Sequence, residues 1–157
     1  TDKSREDAPR PFRMACIQLC TYDGTIYNVQ KVLEKIGHLC DYVLWDEAWI
    51  GYNAFHPLFD NHSPMRLKDL GPAMAGLFST QSVHKQGAGF SQASQIHKRD
   101  EHIRGQRRFI CLEYAIAALR AQCRSTSLRI AFRRTGQCRC SFARGVGASI
   151  ASATFRR

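Results

Sequence analysis

"PFRMACIQLCTYDGTIYNVQKVLEKIGHLCDYVLWD", residues 11–46, is the stretch whose reading decides the fold. Its first nine residues are rich in apolar side chains and run into "CTYDGTIYN", where Asp23-Gly24 is a turn signal, so Pro11–Leu19 is expected to be a strand entering a loop. Val29, Val32, Leu33 and Ile36 then share one face at helical spacing, with Asn28 suited to the N-cap and Gly37 to the stop. "DYVLWD", Asp41–Asp46, is a short apolar strand that ends on an acid. Strand, helix, strand in that order implies a parallel α/β unit.

Working outward, "FHPLFDNHSPMRLKDLGP" is broken by three prolines and reads as a loop. "AGLFSTQS" and "SQASQIHK", residues 75–82 and 91–98, then read as two short strands that flank Lys85. Past "RDEHIRGQRRFI" the character changes. "CLEYAIAALRAQCRS" is compatible with a helix, whereas "RRTGQCRCSFARGVGASIASATFRR" has no clear period and is read as an irregular or disordered basic tail.

The chain has 157 residues, enough for one domain with a core, and no apolar run approaches the roughly 20 residues that span a bilayer. The N-terminus lacks the apolar segment of a secretory signal, so the expectation is a soluble, cytoplasmic protein without a membrane partner. Seven unevenly spaced cysteines suit free thiols better than a disulfide framework. The net charge of +10 is unevenly placed: residues 1–101 hold 11 Lys and Arg against 12 Asp and Glu, while residues 102–157 hold 12 Arg and one Glu. An Arg-rich tail suits phosphate backbones, but no nucleic-acid-binding motif accompanies it, and nucleic-acid binding is kept only as the alternative from another class.

Two residues carry a chemical reading. Lys85 sits in "TQSVHKQGAGFSQAS", where most neighbours are small, neutral or apolar. A partly desolvated amine there would lose its proton easily and form a Schiff base with an aldehyde; the alternative is a surface lysine. Asp46 ends a strand at the edge where parallel α/β sheets bind ligands, and a carboxylate there can hold a proton on a heterocyclic nitrogen; the alternative is a helix N-cap for "EAWIGY". Trp49 and Phe55 are alternatively core aromatics, and His84 a core or surface histidine.

"DEAW" at Asp46–Trp49, "GY" followed by "FHP", and "TQSVHK" followed by "AGFSQAS" together closely resemble the bacterial-type, pyridoxal-phosphate-dependent ornithine/lysine/arginine decarboxylases. Ser82, His84, Lys85, Ala88, Gly89, Ser91, Gln92, Ala93 and Ser94 all match that family's lysine-site signature. The resemblance runs from about Pro11 to about Ile110, and Val83 and Gln86 on either side of His84-Lys85 make it most similar to the ornithine enzymes, with lysine or arginine decarboxylase as the alternatives. It departs from the pattern at Cys20, where a Gly is usual, at Gly87, where ornithine enzymes often have a second Gln, and at Glu47, where several members have Ser.

The resemblance implies an α/β fragment of a large domain of the aspartate-aminotransferase-like fold: residues 11–110 a partial cofactor-binding major domain, residues 111–157 a divergent Arg/Cys-rich tail. It also implies pyridoxal 5'-phosphate as cofactor, a small amino-acid substrate and homo-oligomers built on dimers. By the same resemblance Lys85 carries the cofactor covalently, Asp46 pairs with its ring nitrogen, Ser82 and His84 contact its phosphate, Ala48 and Trp49 line the site, and Lys85 or His84 returns a proton to the substrate carbon. Family enzymes are several times longer and supply an upstream phosphate loop and a ring-stacking histidine that have no counterpart here. The chain is therefore expected to be a truncated, inactive piece, with a tail of the composition that an out-of-frame reading of a GC-rich gene would give.

Overall fold

A computed structural model of the chain describes residues 5–86, 94–111, 113 and 130–133. Strand β1 (Phe12–Gln18) leads through a loop into helix α1 (Val29–Ile36), and β2 (Cys40–Asp46) returns parallel to β1 in the register Ala15 to Val43 and Gln18 to Asp46. This is the unit expected from residues 11–46. Asn28 caps the helix, its side-chain oxygen accepting from the Lys31 N–H at 3.0 Å, and the Gly37 N–H closes it on the Leu33 carbonyl at 2.7 Å. Eight residues make a marginal helix on their own, so burial of Val29 and Leu33 against the sheet supplies most of its stability.

From β2 the chain crosses to β3 (Gly76–Ser82), also parallel, through a segment whose ordered pieces are the 3-10 turns Asn53–Phe55 and Pro57–Phe59, matching the proline-broken loop. A single helical turn, α2 (Val83–Gln86), follows β3, and β4 (Ser94–Arg99) returns antiparallel to it. The sheet order is β1-β2-β3-β4-β5, where β5 (Ile130–Arg133) pairs parallel with β4. Sequence reading assigned β5 to the irregular tail: an Arg-flanked four-residue strand is too short to show a period of two. Ser91–Ala93 of the expected fourth strand and most of the possible helix over 111–125 lie outside the described residues, as does the tail apart from β5, Cys111 and Glu113.

Alternation sorts the two faces. Val43, Trp45 and Leu77 join α1 in the larger core, whereas Tyr42 and Phe78 pack with Ile103 on the opposite face. Burial of both faces of β2 explains its apolar run Tyr42–Trp45. The amino ends of the strands are tied down by side chains. The Arg10 guanidinium donates to the carbonyls of Gly37 and Cys40 at 2.8 and 2.5 Å, and that of Arg108 to those of Pro72 and Met74 at 2.7 and 2.8 Å. Tyr42 donates its hydroxyl to Asp100 Oδ2 at 2.8 Å and accepts the Ile110 N–H at 2.8 Å, while Lys98 pairs with the same carboxylate. Burial first, then the Asp100 charge and hydrogen bond, push the Tyr42 phenol well above its usual range, so it stays a donor.

Among the described residues Cys16, Cys20, Cys40 and Cys111 are free thiols, and no helix is long and apolar enough to cross a membrane. Gly76 lies opposite Tyr42 in the β2–β3 register, and a Cβ there would collide with the Tyr42 ring at Cε1 and Cδ1. Gly76→Ala is therefore expected to destabilise the intact protein by about 1–3 kcal/mol through overpacking. The check is the midpoint of denaturant unfolding, and an unchanged midpoint would mean that the Tyr42 ring can yield.

Candidate active site at the carboxyl edge of the strands

Parallel pairing of β2 with β3 brings two sequence-distant motifs to one edge. Asp46 pairs with Thr80, the Glu47 N–H donates to the Thr80 carbonyl at 2.8 Å, and the Leu19 N–H donates to the Asp46 carbonyl at 2.9 Å. "DEAW" and "SVHK" thus leave the sheet side by side, although more than thirty residues separate them. Asp46 shares the sheet face of Thr80 and Ser82, and its side chain is exposed. Asp46 Oδ1 accepts from the Ala48 N–H at 2.9 Å and so holds a turn; residues 47–52 form turns and not the helix that an N-cap at Asp46 would start, while Oδ2 has no partner among the described residues.

Lys85 stands in α2, directly beyond β3, with Nζ 4.3 Å from the centroid of the Trp49 indole. A cation over an aromatic face is electrostatically favourable. Tyr22, 89% exposed, meets the edge of the same indole at 5.8 Å and 84°, adding a residue that sequence reading did not single out. The desolvated surroundings expected for Lys85 are not met: its side chain is exposed, and the small residues that suggested them, 87–93, lie outside the described ones. The lysine is set apart by its ring partner and by the absence of a carboxylate partner among the described residues. Ser82 and His84 are half-buried on either side of Val83, and Ala48 is half-buried in the turn held by Asp46. Trp49 keeps 39% of its surface exposed and Phe55 83%, so neither is a core aromatic.

The largest omission from the sequence reading is Glu47, which is 0% exposed. Its Oε2 accepts from Gln81 Nε2 at 2.7 Å and from the Ser79 hydroxyl, and its Oε1 accepts from Asn53 Nδ2 at 3.1 Å. Alternation carried the signal: positions 43, 45 and 47 continue the inward face of β2 past its end. Burial pushes the Glu47 carboxyl above its usual range, the neighbouring Asp46 adds to this, and the three donors oppose it.

One sheet edge thus carries an exposed amine at Lys85, an outward carboxylate at Asp46, and a half-buried hydroxyl and imidazole at Ser82 and His84.

Known proteins share this stretch of sequence. The family described as "Orn/Lys/Arg decarboxylase, major domain" matches residues 1–127. The inducible ornithine decarboxylase of Lactobacillus sp. (strain 30a) is 58% identical over 108 residues, which are 69% of this chain and 15% of that protein. Lysine decarboxylase LdcA of Pseudomonas aeruginosa is 38% identical over 90 residues, 56% of this chain and 12% of its own. The solved structure of the Escherichia coli constitutive lysine decarboxylase superposes with a TM-score of 0.49 at 35% identity, covering 56% of this chain and 12% of that one. The chain thus spans about one seventh of the length of the ornithine decarboxylase it matches.

A carboxyl whose folded pKa is raised contributes stability that is complete below the ordinary glutamate value of 4.5 and is lost as pH rises through the folded pKa. The stability advantage of wild type over Glu47→Gln should therefore be largest in acid and shrink as the pH climbs. Denaturant midpoints of both proteins across that range test this, and a pH-independent difference would contradict it.

Proposed function

The chain belongs to the Orn/Lys/Arg decarboxylase family, and from that premise we propose that it carries the lysine-bearing half of a pyridoxal-phosphate site that decarboxylates a basic amino acid, ornithine first. The single observation behind this reading is the delivery of Asp46 and Lys85 to one sheet edge, with the Lys85 amine resting on Trp49. Identity of 58% to an ornithine decarboxylase against 38% to a lysine decarboxylase supports the choice of substrate. The segment 11–110 is proposed as the partial major domain, completed by the further parts that the much longer relatives possess.

Pyridoxal phosphate, when bound, supplies an aldehyde that an amine takes up with loss of water and a protonated ring that accepts the electron pair left when the substrate carboxylate departs as carbon dioxide. Lys85 Nζ would be the amine that holds the cofactor. Its exposure, with no carboxylate partner among the described residues, would leave it within reach of an aldehyde once the ammonium has given up its proton. The Asp46 carboxylate would keep a proton on the ring nitrogen, while its Oδ1 accepts from the Ala48 N–H, which helps to orient the carboxylate. Ser82 and His84 would bind the phosphate, and Trp49 with Ala48 would form one wall of the site. Lys85 or His84 would return a proton to the substrate α-carbon.

Borohydride reduction of the complete, cofactor-treated protein should fix the pyridoxyl group on the peptide that contains Lys85, read by mass spectrometry. Labelling confined to another lysine removes the proposal. In the same protein Asp46→Asn should lower ornithine turnover on the order of 100-fold or more while cofactor affinity changes far less, because an amide cannot hold the ring proton but leaves the phosphate contacts in place. Unimpaired turnover would reduce Asp46 to a turn cap.

A further inference from the structure

Two consecutive residues at the end of β2 have opposite fates: Asp46 is exposed, and Glu47 is fully buried. The Glu47 carboxyl gathers donors from three places, with Ser79 and Gln81 on β3 and Asn53 in the crossover. Asn53 Nδ2 also donates to the His62 carbonyl at 2.9 Å, which ties the far part of the crossover to the same point. The Gln81 amide has a fixed sense: its nitrogen donates to Glu47, and its oxygen accepts from Gln95 Nε2 at 2.5 Å and meets His97 Nε2 at 3.1 Å. Gly51 lets the crossover lie directly on Gln81, since a Cβ there would stand 3.3 Å from three of its side-chain carbons. Gln81 immediately precedes Ser82, and Glu47 lies between Asp46 and Ala48-Trp49.

We propose that Glu47 is a positioning residue: through Gln81, Ser79 and Asn53 it sets the turn that carries Asp46 and Trp49 against the β3 end that carries Ser82, His84 and Lys85. The inference rests on the assignment of the site under Proposed function. It requires an oxygen at both ends of the Glu47 carboxyl, because Asn53 Nδ2 donates to Oε1 and Gln81 Nε2 to Oε2, and neither amide nitrogen can accept. An amide at this position places its own N–H2 against donors, and relief of that conflict moves the turn away from β3 and Trp49 away from Lys85.

The test uses the complete protein loaded with pyridoxal phosphate, as wild type, Glu47→Gln, Gln81→Glu and the double exchange Glu47→Gln/Gln81→Glu. The exchange reverses the central hydrogen bond: the amide introduced at position 47 donates to the carboxylate introduced at position 81, which also accepts from Gln95 and His97. Three readouts are taken: ornithine kcat and KM, the near-visible absorption band of the bound cofactor, and the melting temperature. Glu47→Gln is expected to lower kcat about 10- to 100-fold with little change in KM and to shift the band, as a displacement of reacting groups by about 1 Å does. The double exchange is expected to return kcat to within about threefold of wild type and to restore the band. If Glu47→Gln does not fold, the double exchange alone decides. Wild-type kcat and band in Glu47→Gln overturn the proposal, and so does a double exchange that regains the melting temperature without kcat or band, since Glu47 then serves stability alone. A wild-type protein with neither cofactor band nor ornithine turnover overturns the site assignment itself, and this inference with it.

Discussion

The candidate site depends on a carboxyl that water cannot reach. Taking an ionisable group out of solvent costs several kcal/mol unless hydrogen bonds replace its hydration, and at Glu47 three side-chain donors offset part of that cost. Because donors and acceptors are matched in sense, the group specifies a geometry as well as an energy: β3, the turn after β2 and the crossover are held at one point. The pleat then dictates the rest. With Glu47 inward, Asp46 faces outward, and the chain turns sharply enough for Trp49 to come beneath Lys85.

Side-chain ties to loop carbonyls and the exposed residues of the candidate site occupy opposite edges of the sheet. At the amino edge, arginines cover loop carbonyls, Tyr42 bridges β2 to Asp100 and Ile110, and the buried Lys98–Asp100 pair leaves little freedom. At the carboxyl edge Asp46, Trp49, Lys85 and Tyr22 are exposed. Exposed polar and aromatic side chains on turns gain little for the fold, whereas they supply what a ligand needs, and a rigid opposite edge keeps them in register.

Much of this was legible in the sequence for local reasons. β1, α1 and β2 follow from periodicity, with Asn28 and Gly37 marking the helix ends where the caps form. Asp46 and Lys85 stood out by position and by neighbours, and their juxtaposition follows once both strands are parallel. The buried role of Glu47 escaped because an acid beside an acid reads as a solvated pair, while the donors that make its burial tolerable come from Asn53, Ser79 and Gln81, contacts that no window on one sequence reveals. The exposure of Lys85 escaped for the converse reason: a neutral neighbourhood in sequence need not surround a side chain in space. Strand β5 is defined by pairing with β4 and not by any pattern of its own.

If one sheet edge presents an amine and an outward carboxylate to the same cofactor, a crystal structure of the complete protein with pyridoxal phosphate should have Lys85 Nζ bonded to the cofactor's aldehyde carbon and Asp46 Oδ2 about 2.7–2.9 Å from its ring nitrogen, the spacing of a charge-assisted hydrogen bond, with Glu47 still buried behind them. A cofactor bound to another lysine, or a ring nitrogen facing a group other than Asp46, would contradict it.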